Sequence, residues 1–323
     1  MTGARVLVTG MGSELGTRVT NLLEGMAGVD AIVGIDRDPP RRRIPRAAFH
    51  RIDPRDELGT TQVVRDLEPT VLLHMGVYEP NASRAPAAAR LASAAGARNA
   101  LAAASRCSSL EHIVVRSGIE VYGRGRGQAT RPDETVPARP TSGFGRSLLE
   151  VEQLARAAAH ATDVPLTVLR LAPVVGPHVP SPLGRYLRLP VVGVSALSDL
   201  PFSLLHQEDA AVAVVSAFEV ALDGIVNVVA PGAVTAVQAV RMGGRLPAPM
   251  LGPSWRLAGM FGELVGAPLP DHVRELLIRG RCADGGRAAE LDLKPTHTTP
   301  AIVQQLYEWA EVLYLDVPNR SAA

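Results

Sequence analysis

Three glycines near the start of the chain have the spacing that a phosphate-binding turn needs. Gly10, Gly12 and Gly16 follow an apolar strand at residues 5–9 and lie where an amphipathic helix begins. In such a turn the backbone N–H groups and the positive helix end point at one spot, and the missing side chains let a pyrophosphate group approach. The pattern predicts a dinucleotide-binding turn, with contacts to the cofactor from Gly10, Gly12, Ser13, Glu14, Leu15 and Gly16.

An acidic residue follows at the distance that suits a dinucleotide. A second apolar strand, residues 31–35, ends at Asp36. A carboxylate there accepts the two ribose hydroxyls of NAD and repels the 2′-phosphate of NADP, so we expect NAD rather than NADP. Arg37 opens a basic loop that we expect to be solvated, although its arginines could reach a cofactor phosphate. Asp53 follows a third strand, near residues 49–52, where its side chain could meet the adenine amine.

The fourth strand supplies the next candidate contacts. Residues 70–76 are almost continuously apolar, as in a parallel strand that is buried on both faces. Ligands lie at the carboxyl ends of such strands, so we expect His74, Met75 and Gly76 to line the cofactor. The hydroxyl of Ser13 could either bond a phosphate oxygen or crowd it, and the sequence leaves both open.

The elements that must hold these residues alternate between strand and helix through the first 170 residues. This alternation predicts an α/β fold with a doubly wound parallel sheet of Rossmann type. Beyond residue 173 we expect a helix at 210–222 with Asp209 as its N-cap, a strand at 225–229 that returns to the sheet, and a helix at 302–314. The predicted domains are a dinucleotide-binding domain of residues 1–172 and 203–229, a smaller substrate lobe of residues 173–202 and 230–316, and a polar tail of residues 317–323.

The composition excludes several classes of function. A net charge of +1 argues against an electrostatic binder of nucleic acid or membranes. Only two cysteines are present, Cys107 and Cys282, without CxxC spacing, so we expect no metal site and reduced thiols in the cytoplasm. We also expect no leader peptide, because the first strand begins by residue 5, and no apolar run of membrane-spanning length. Lys294 is the only lysine, which leaves one candidate for any lysine-dependent mechanism.

Seven motifs in order resemble the extended short-chain dehydrogenase/reductases of the NAD-dependent epimerase/dehydratase family, in particular an actinobacterial branch similar to UDP-glucose 4-epimerases. Residues 9–16 resemble its glycine turn, 72–76 its fourth-strand motif and 121–123 its VYG motif. Residues 133–140, 169–177 and 206–210 resemble three later motifs, and Asp36 and Asp53 match the acids that contact ribose and adenine. The resemblance implies NAD and a nucleotide-sugar ligand. A homodimer is expected from the Ala-rich helix at residues 85–106, whose small residues would permit close helix–helix approach.

The same resemblance implies that the usual catalytic groups are replaced. The family removes a hydroxyl proton with a tyrosine, which is assisted by a lysine four residues later and by a serine or threonine after strand five. These positions correspond to Phe144, Leu148 and Gly118, and Ser117 lies one place early. Pro173 stands where the family has an asparagine that helps to hold the substrate diphosphate.

Four other residues could take over proton transfer. Ser117 and His74 are the catalytic candidates, and Glu120 and Tyr122 are further alternatives in the strand-five loop. Three hypotheses remain. The protein is an enzyme with an atypical acid/base group, a catalytically inactive NAD-binding regulatory protein, or a scaffold without a retained ligand.

Overall fold

The central sheet is parallel and has seven strands. We describe residues 3–125 and 127–309 from a computed structural model. The order β11-β6-β5-β4-β1-β2-β3 reverses between β1 and β4, where ligands of doubly wound folds bind. The strands are β1 (Ala4–Thr9), β2 (Val29–Asp36), β3 (Ala47–Arg51), β4 (Val71–His74), β5 (His112–Gly118), β6 (Leu166–Leu171), β7 (Val174–Val175), β8 (Val191–Ser195), β9 (Pro201–Phe202), β10 (Leu205–His206), β11 (Gly224–Val228), β12 (Val234–Thr235) and β13 (Leu246–Met250).

Helices cover both faces of the sheet and build most of the C-terminal part of the molecule. Several begin at a serine or threonine whose hydroxyl accepts a backbone N–H, as at Ser13 and Ser142. The helices are α1 (Glu14–Glu24), α2 (Glu57–Leu67), α3 (Pro86–Ala104), α4 (Gly143–Thr162), α5 (Pro182–Leu187), α6 (Gln207–Glu219), α7 (Ala236–Met242), α8 (Ser254–Leu264), α9 (Asp271–Arg279), α10 (Gly286–Glu290) and α11 (Thr299–Glu308).

The buried apolar side chains form two clusters. The larger cluster lies between the sheet and its helices and includes Leu7, Leu72 and Val114. The smaller one joins segments that follow residue 174, and it includes Tyr186, Trp255 and Leu276. The sheet confirms the predicted fold class, and β11 pairs with β6 as expected for a returning strand. The domain limits given above stay predictions.

One local expectation was wrong, and the reason is physical. α6 begins earlier than expected, because the ring of His206 accepts the N–H of Glu208 and acts as the N-cap. Asp209 therefore lies inside the first turn, where its carboxylate binds Thr296 and His297. The third strand, expected near residues 49–52, is present as β3, which ends at Arg51 and pairs with β2.

The last predicted helix is confirmed only in part. α11 begins at Thr299, and residues 310–314 of the predicted helix and the polar tail lie outside the described residues. Among the helices that the structure describes, none combines the length and the apolar character that crossing a membrane requires.

Candidate functional site

The glycine turn after β1 is closed so tightly that side chains are excluded. A Cβ on Gly12 would lie 1.8 Å from the carbonyl oxygen of Asp38, and one on Gly16 would lie 2.1 Å from that of Gly10. Gly10 has a φ of +72°, and its Cα faces the backbone of Gly76. All three glycines are therefore required by the backbone geometry, which brings the turn against the ends of β2 and β4.

Ser13 serves the turn itself. Its hydroxyl donates to the carbonyl of Gly10 at 2.8 Å and accepts the N–H of Gly16 at 3.0 Å, so it caps α1. The N–H groups of Glu14 and Leu15 at the same helix end make no hydrogen bond with any described residue. These two orphan donors fit a pyrophosphate, and they belong to the first turn of an 11-residue helix.

Asp36 ends β2 beside this turn. Its carboxylate is buried and accepts the N–H of Gly12 at 3.1 Å and that of Arg37 at 2.7 Å. The turn and the acid are therefore held together in one unit, with the carboxylate at the carboxyl end of the strand. This arrangement suits a ribose whose hydroxyls donate to the acid.

Two further groups contact Asp36, and no sequence pattern predicts either of them. The hydroxyl of Tyr78 donates to Asp36 Oδ1 at 2.9 Å, and the Arg84 guanidinium lies 3.9 Å from the same oxygen and 4.1 Å from the centre of the Tyr78 ring. Burial raises the pKa of the Asp36 carboxyl, and the bonds from Tyr78 and Arg37 oppose that rise. The segment after β4 therefore covers the acid that was expected to face ribose.

The side chains of two of the predicted cofactor residues are engaged elsewhere. The side chain of Arg37 is exposed and pairs with Asp38 at 3.4 Å. Asp53 forms a two-point ion pair with Arg55, whose hydrogen bonds lower the pKa of the Asp53 carboxyl to about 2. Neither residue lines the cleft described below.

His74 lies at the carboxyl end of β4, opposite Thr9 in the sheet. Its Nδ1 is 2.7 Å from the Thr9 hydroxyl, and its Nε2 has no partner among the residues that the structure describes. The ring is completely buried, and this burial lowers the pKa of His74 to about 4. Gly76 lies against Gly10, and Met75 is buried in the core.

A cleft of about 750 Å³ connects these groups to the C-terminal part of the molecule. At one end it is lined by Gly12, Ser13 and Asp36, and at the other by Glu79, Arg116 and Val174. Glu79, Arg116 and Val174 also line a second, smaller cavity next to Phe144, which we call the Phe144 cavity. The two spaces therefore adjoin, as the cofactor and substrate parts of one site would.

The Phe144 cavity contains the positions that the resemblance assigns to proton transfer. Phe144 and Leu148 lie one turn apart on α4 with exposed fractions of 8% and 1%, and both line the cavity together with Pro173. Its volume is about 30 Å³, which is enough for a water molecule or a hydroxyl group but not for a sugar ring. In this structure a phenyl ring and a packed leucine occupy this place.

Glu120 fills the place next to Gly118. A Cβ at position 118 would lie 2.4 Å from Glu120 Oε2, so a serine or threonine there would require the carboxylate to move. The carboxylate of Glu120 lies 3.6 Å from Arg281, which is buried and also pairs with Glu275 at 2.7 Å. This chain therefore has a buried ion-pair network beside the position of the missing hydroxyl.

The side chains of Ser117 and Tyr122 are engaged in another network. The Ser117 hydroxyl donates to Glu152 Oε1 at 2.6 Å, and Glu152 also forms a two-point pair with Arg170. The hydroxyl of Tyr122 donates to Asn227 Oδ1 at 2.8 Å. Burial raises the pKa of Tyr122, so its hydroxyl keeps its proton.

His272 is a functional candidate that sequence reasoning missed. It lies on α9, its ring packs against Phe144 with centroids 4.9 Å apart, and its Nε2 is 2.9 Å from Glu79 Oε1. No local motif marks it, and Glu79 is 193 positions away along the chain. Within the described ranges, no group of three His, Cys, Asp or Glu residues is placed to hold a metal ion.

Known proteins are similar to this chain in sequence and in fold. The NAD dependent epimerase/dehydratase family model matches residues 6–228. An uncharacterized protein of Mycobacterium bovis is 32% identical over 305 residues, which are 91% of this chain and 81% of that protein. UDP-glucose 4-epimerase from Thermotoga maritima, solved with UDP-glucose, has a TM-score of 0.72 at 19% identity over 94% of this chain and 97% of that one.

A second solved structure is similar to the same extent. UDP-glucuronic acid 4-epimerase from Bacillus cereus, in complex with UDP-glucuronic acid and NAD, has a TM-score of 0.73 at 16% identity. The alignment covers 94% of this chain and 98% of that one. At these identities the two structures show a shared fold, and the site must be judged from the residues of this chain.

Proposed function

Because the chain belongs to the NAD-dependent epimerase/dehydratase family, we propose that it binds NAD and a nucleotide sugar without the usual tyrosine–lysine pair. The observation that carries the proposal is the junction of two spaces. The cleft at Gly12 and Asp36 keeps what a dinucleotide needs, and the adjoining cavity holds Phe144 and Leu148 where proton transfer is expected.

The chain's own groups suit the parts of the cofactor. The free N–H groups of Glu14 and Leu15 would hold the pyrophosphate, and Asp36 would accept ribose hydroxyls after Tyr78 gives way. When bound, NAD supplies an acceptor for a hydrogen and its electron pair. The relative from Bacillus cereus was solved with NAD and UDP-glucuronic acid, which supports this pair of ligands.

The first test compares the two dinucleotides by thermal unfolding. A ligand at 100 times its Kd stabilises a protein by about 2.7 kcal/mol, and we expect NAD to reach this effect at a lower concentration than NADP, whose phosphate Asp36 repels. Asp36→Ala should reduce the difference between the two. Equal stabilisation by both, or none, would contradict the proposed preference.

The second test concerns turnover. Since loss of the proton-transfer group costs about 10²–10⁴-fold in rate, we expect the purified protein with NAD to epimerise UDP-glucose or UDP-galactose far more slowly than a tyrosine–lysine relative. Product analysis over hours measures this rate. Turnover at the relative's rate that is lost in Ser117→Ala or His74→Gln would instead favour one of those residues as the acid/base group.

A catalytically inactive NAD-binding regulatory or scaffold protein is the second candidate function. The observation that favours it is the small Phe144 cavity, whose volume of about 30 Å³ leaves no room for a sugar ring. Binding of both ligands with no product would support this role. A cytoplasmic homodimer also stays part of the proposal, and sedimentation of the full chain tests the dimer.

A further inference from the structure

One titratable ring in the Phe144 cavity has a fixed position, and one of its nitrogens has no hydrogen-bond partner among the described residues. His272 lies on α9, in the C-terminal part of the chain, and is almost fully buried. Its ring packs against Phe144 at an interplanar angle of 48°. An imidazole therefore stands beside the residue that occupies the expected tyrosine position.

Glu79 fixes which nitrogen of His272 can act. Nε2 lies 2.9 Å from Glu79 Oε1, and an ionised carboxylate only accepts hydrogen bonds. In the neutral ring Nε2 therefore carries the hydrogen and Nδ1 carries the lone pair. Nδ1 makes no hydrogen bond within residues 3–125 and 127–309. A base with one nitrogen oriented by a carboxylate and the other free is the arrangement used for proton transfer.

The other candidates in this region are already engaged. The Ser117 hydroxyl is bonded to Glu152, and the carboxylate of Glu120 is paired with Arg281. His74 borders a different cavity, of about 20 Å³, together with Thr9 and Gly10. His272 is therefore the group in the Phe144 cavity that combines a free lone pair with a fixed orientation.

We propose that His272, oriented by Glu79, is the acid–base residue of this site. The inference rests on the proposed binding of NAD and a nucleotide sugar. The O–H bond of a sugar hydroxyl breaks, its proton forms a bond with Nδ1, and its electron pair stays on oxygen. Bound NAD would accept the hydrogen and two electrons from the same carbon, the oxygen pair would become the second bond of the carbonyl, and the reverse transfers would return the proton from Nδ1.

The geometry also places the sugar. Glu79 and Arg116 line both spaces, so a hydroxyl can enter the Phe144 cavity while the ring stays in the cleft. A volume of about 30 Å³ accepts that hydroxyl. In this arrangement Glu79 is a positioning residue, because it acts through the imidazole and not on the substrate.

The first measurement does not depend on turnover. Full-length protein with isotope-labelled histidine is loaded with NAD and titrated with UDP-glucose or UDP-galactose, while the ring nitrogens are followed by NMR. We expect the His272 Nδ1 signal to move at saturation and the signal of the exposed His160, on the same helix as Phe144, to stay. His272→Gln assigns the signal.

The second measurement uses variants. His272→Ala should lower kcat at least about 100-fold with the Kd of NAD and of the UDP-hexose changed less than about threefold, and added imidazole should restore part of the rate. Glu79→Gln should lower kcat about tenfold, because the ring loses its orientation. His160→Ala is the matched control, and unfolding temperatures show whether each variant is folded, with His272→Gln replacing an unstable alanine variant.

The outcomes separate the two proposals. Binding of NAD and UDP-hexose with an unmoved His272 signal, or with His272→Ala as active as the wild type, overturns the role of His272 and leaves the binding function standing. Absence of any turnover in the wild type, with both ligands bound, also overturns it. Failure to bind NAD overturns the proposed function and this inference together.

Discussion

The two ends of the site differ in the groups that line them, which are backbone groups at one end and side chains at the other. The cofactor end consists of backbone, with N–H groups of α1 and a glycine turn that admits no Cβ. The Phe144 cavity consists of side chains, among them a phenyl ring, a packed leucine and a buried ion-pair network around Arg281. A few substitutions can therefore change the chemistry of the Phe144 cavity. The cofactor end cannot be changed in this way, because its groups belong to the backbone.

The difference would allow a member of this family to keep the glycine turn while the residues at its proton-transfer positions change. Steric demands on Gly10, Gly12 and Gly16 are met only by glycine, because a Cβ at each would lie within 2.6 Å of backbone atoms. The proton-transfer positions carry no such demand, because Phe144 and Leu148 pack well without polar partners. Three perturbations, from the largest expected effect to the smallest, test how different the two ends are.

Leu148→Lys should be the most damaging change. The residue is 1% exposed in the main core, so the substitution places a charge among apolar atoms, and we expect a loss of about 3–5 kcal/mol in the free energy of unfolding. Denaturant unfolding measures it. Leu58→Lys, on α2 at 84% exposure, is the control and should change stability by less than about 0.5 kcal/mol. If Leu148→Lys is tolerated, the Phe144 cavity can still accommodate the lysine of the family's tyrosine–lysine pair.

His74 should make the cofactor end sensitive to acid. Its pKa is lowered by burial to about 4, below the ordinary value of 6.5, so its contribution to stability is complete above pH 6.5 and is lost as the pH falls toward 4. A shift of that size corresponds to about 3 kcal/mol.

The free energy of unfolding should therefore change less between pH 7 and pH 4 in His74→Gln than in the wild type. The buried rings of His112 and His206 also have lowered pKa values and keep part of the slope. Identical slopes would mean that the pKa of His74 is the same in the folded and unfolded states, which would contradict its burial as a neutral ring.

Gly12→Ala should impair binding of NAD more than stability. The added Cβ would meet the Asp38 carbonyl at 1.8 Å and displace the turn, so we expect roughly a 100-fold higher Kd, or about 3 kcal/mol. Calorimetric titration measures the affinity. Gly259→Ala on α8 is the control, since its Cβ would have no neighbour within 4 Å. Unchanged affinity in Gly12→Ala would show that the turn does not hold the cofactor.

Much of the fold could be predicted because its signals are local. The apolar runs of β1, β4 and β6 and the glycine turn are each contained within about ten residues, and Asp36 directly ends its strand. Such patterns depend on neighbouring residues only. The N-cap of α6 was missed because a histidine caps it, while the preferred aspartate is used by a distant segment.

The candidate site could be predicted only where it depends on the backbone. Tyr78 meets Asp36 across 42 positions, and His272 meets Glu79 across 193, so no spacing in the sequence links these pairs. The C-terminal part that carries His272 also lacks a recognisable motif. Its α9 is placed by packing of Val273 and Leu276 in the smaller core, which only the folded structure defines.

The contact between Gly118 and Glu120 also constrains how the chain could change in evolution. A serine at 118 would displace the Glu120 carboxylate, because its Cβ would lie 2.4 Å from Glu120 Oε2. Removing Glu120 first leaves the buried guanidinium of Arg281 with one carboxylate fewer. A return to a hydroxyl at this position is therefore coupled to the Glu120–Arg281 ion pair, so the effect of a substitution at 118 depends on the residue at 120.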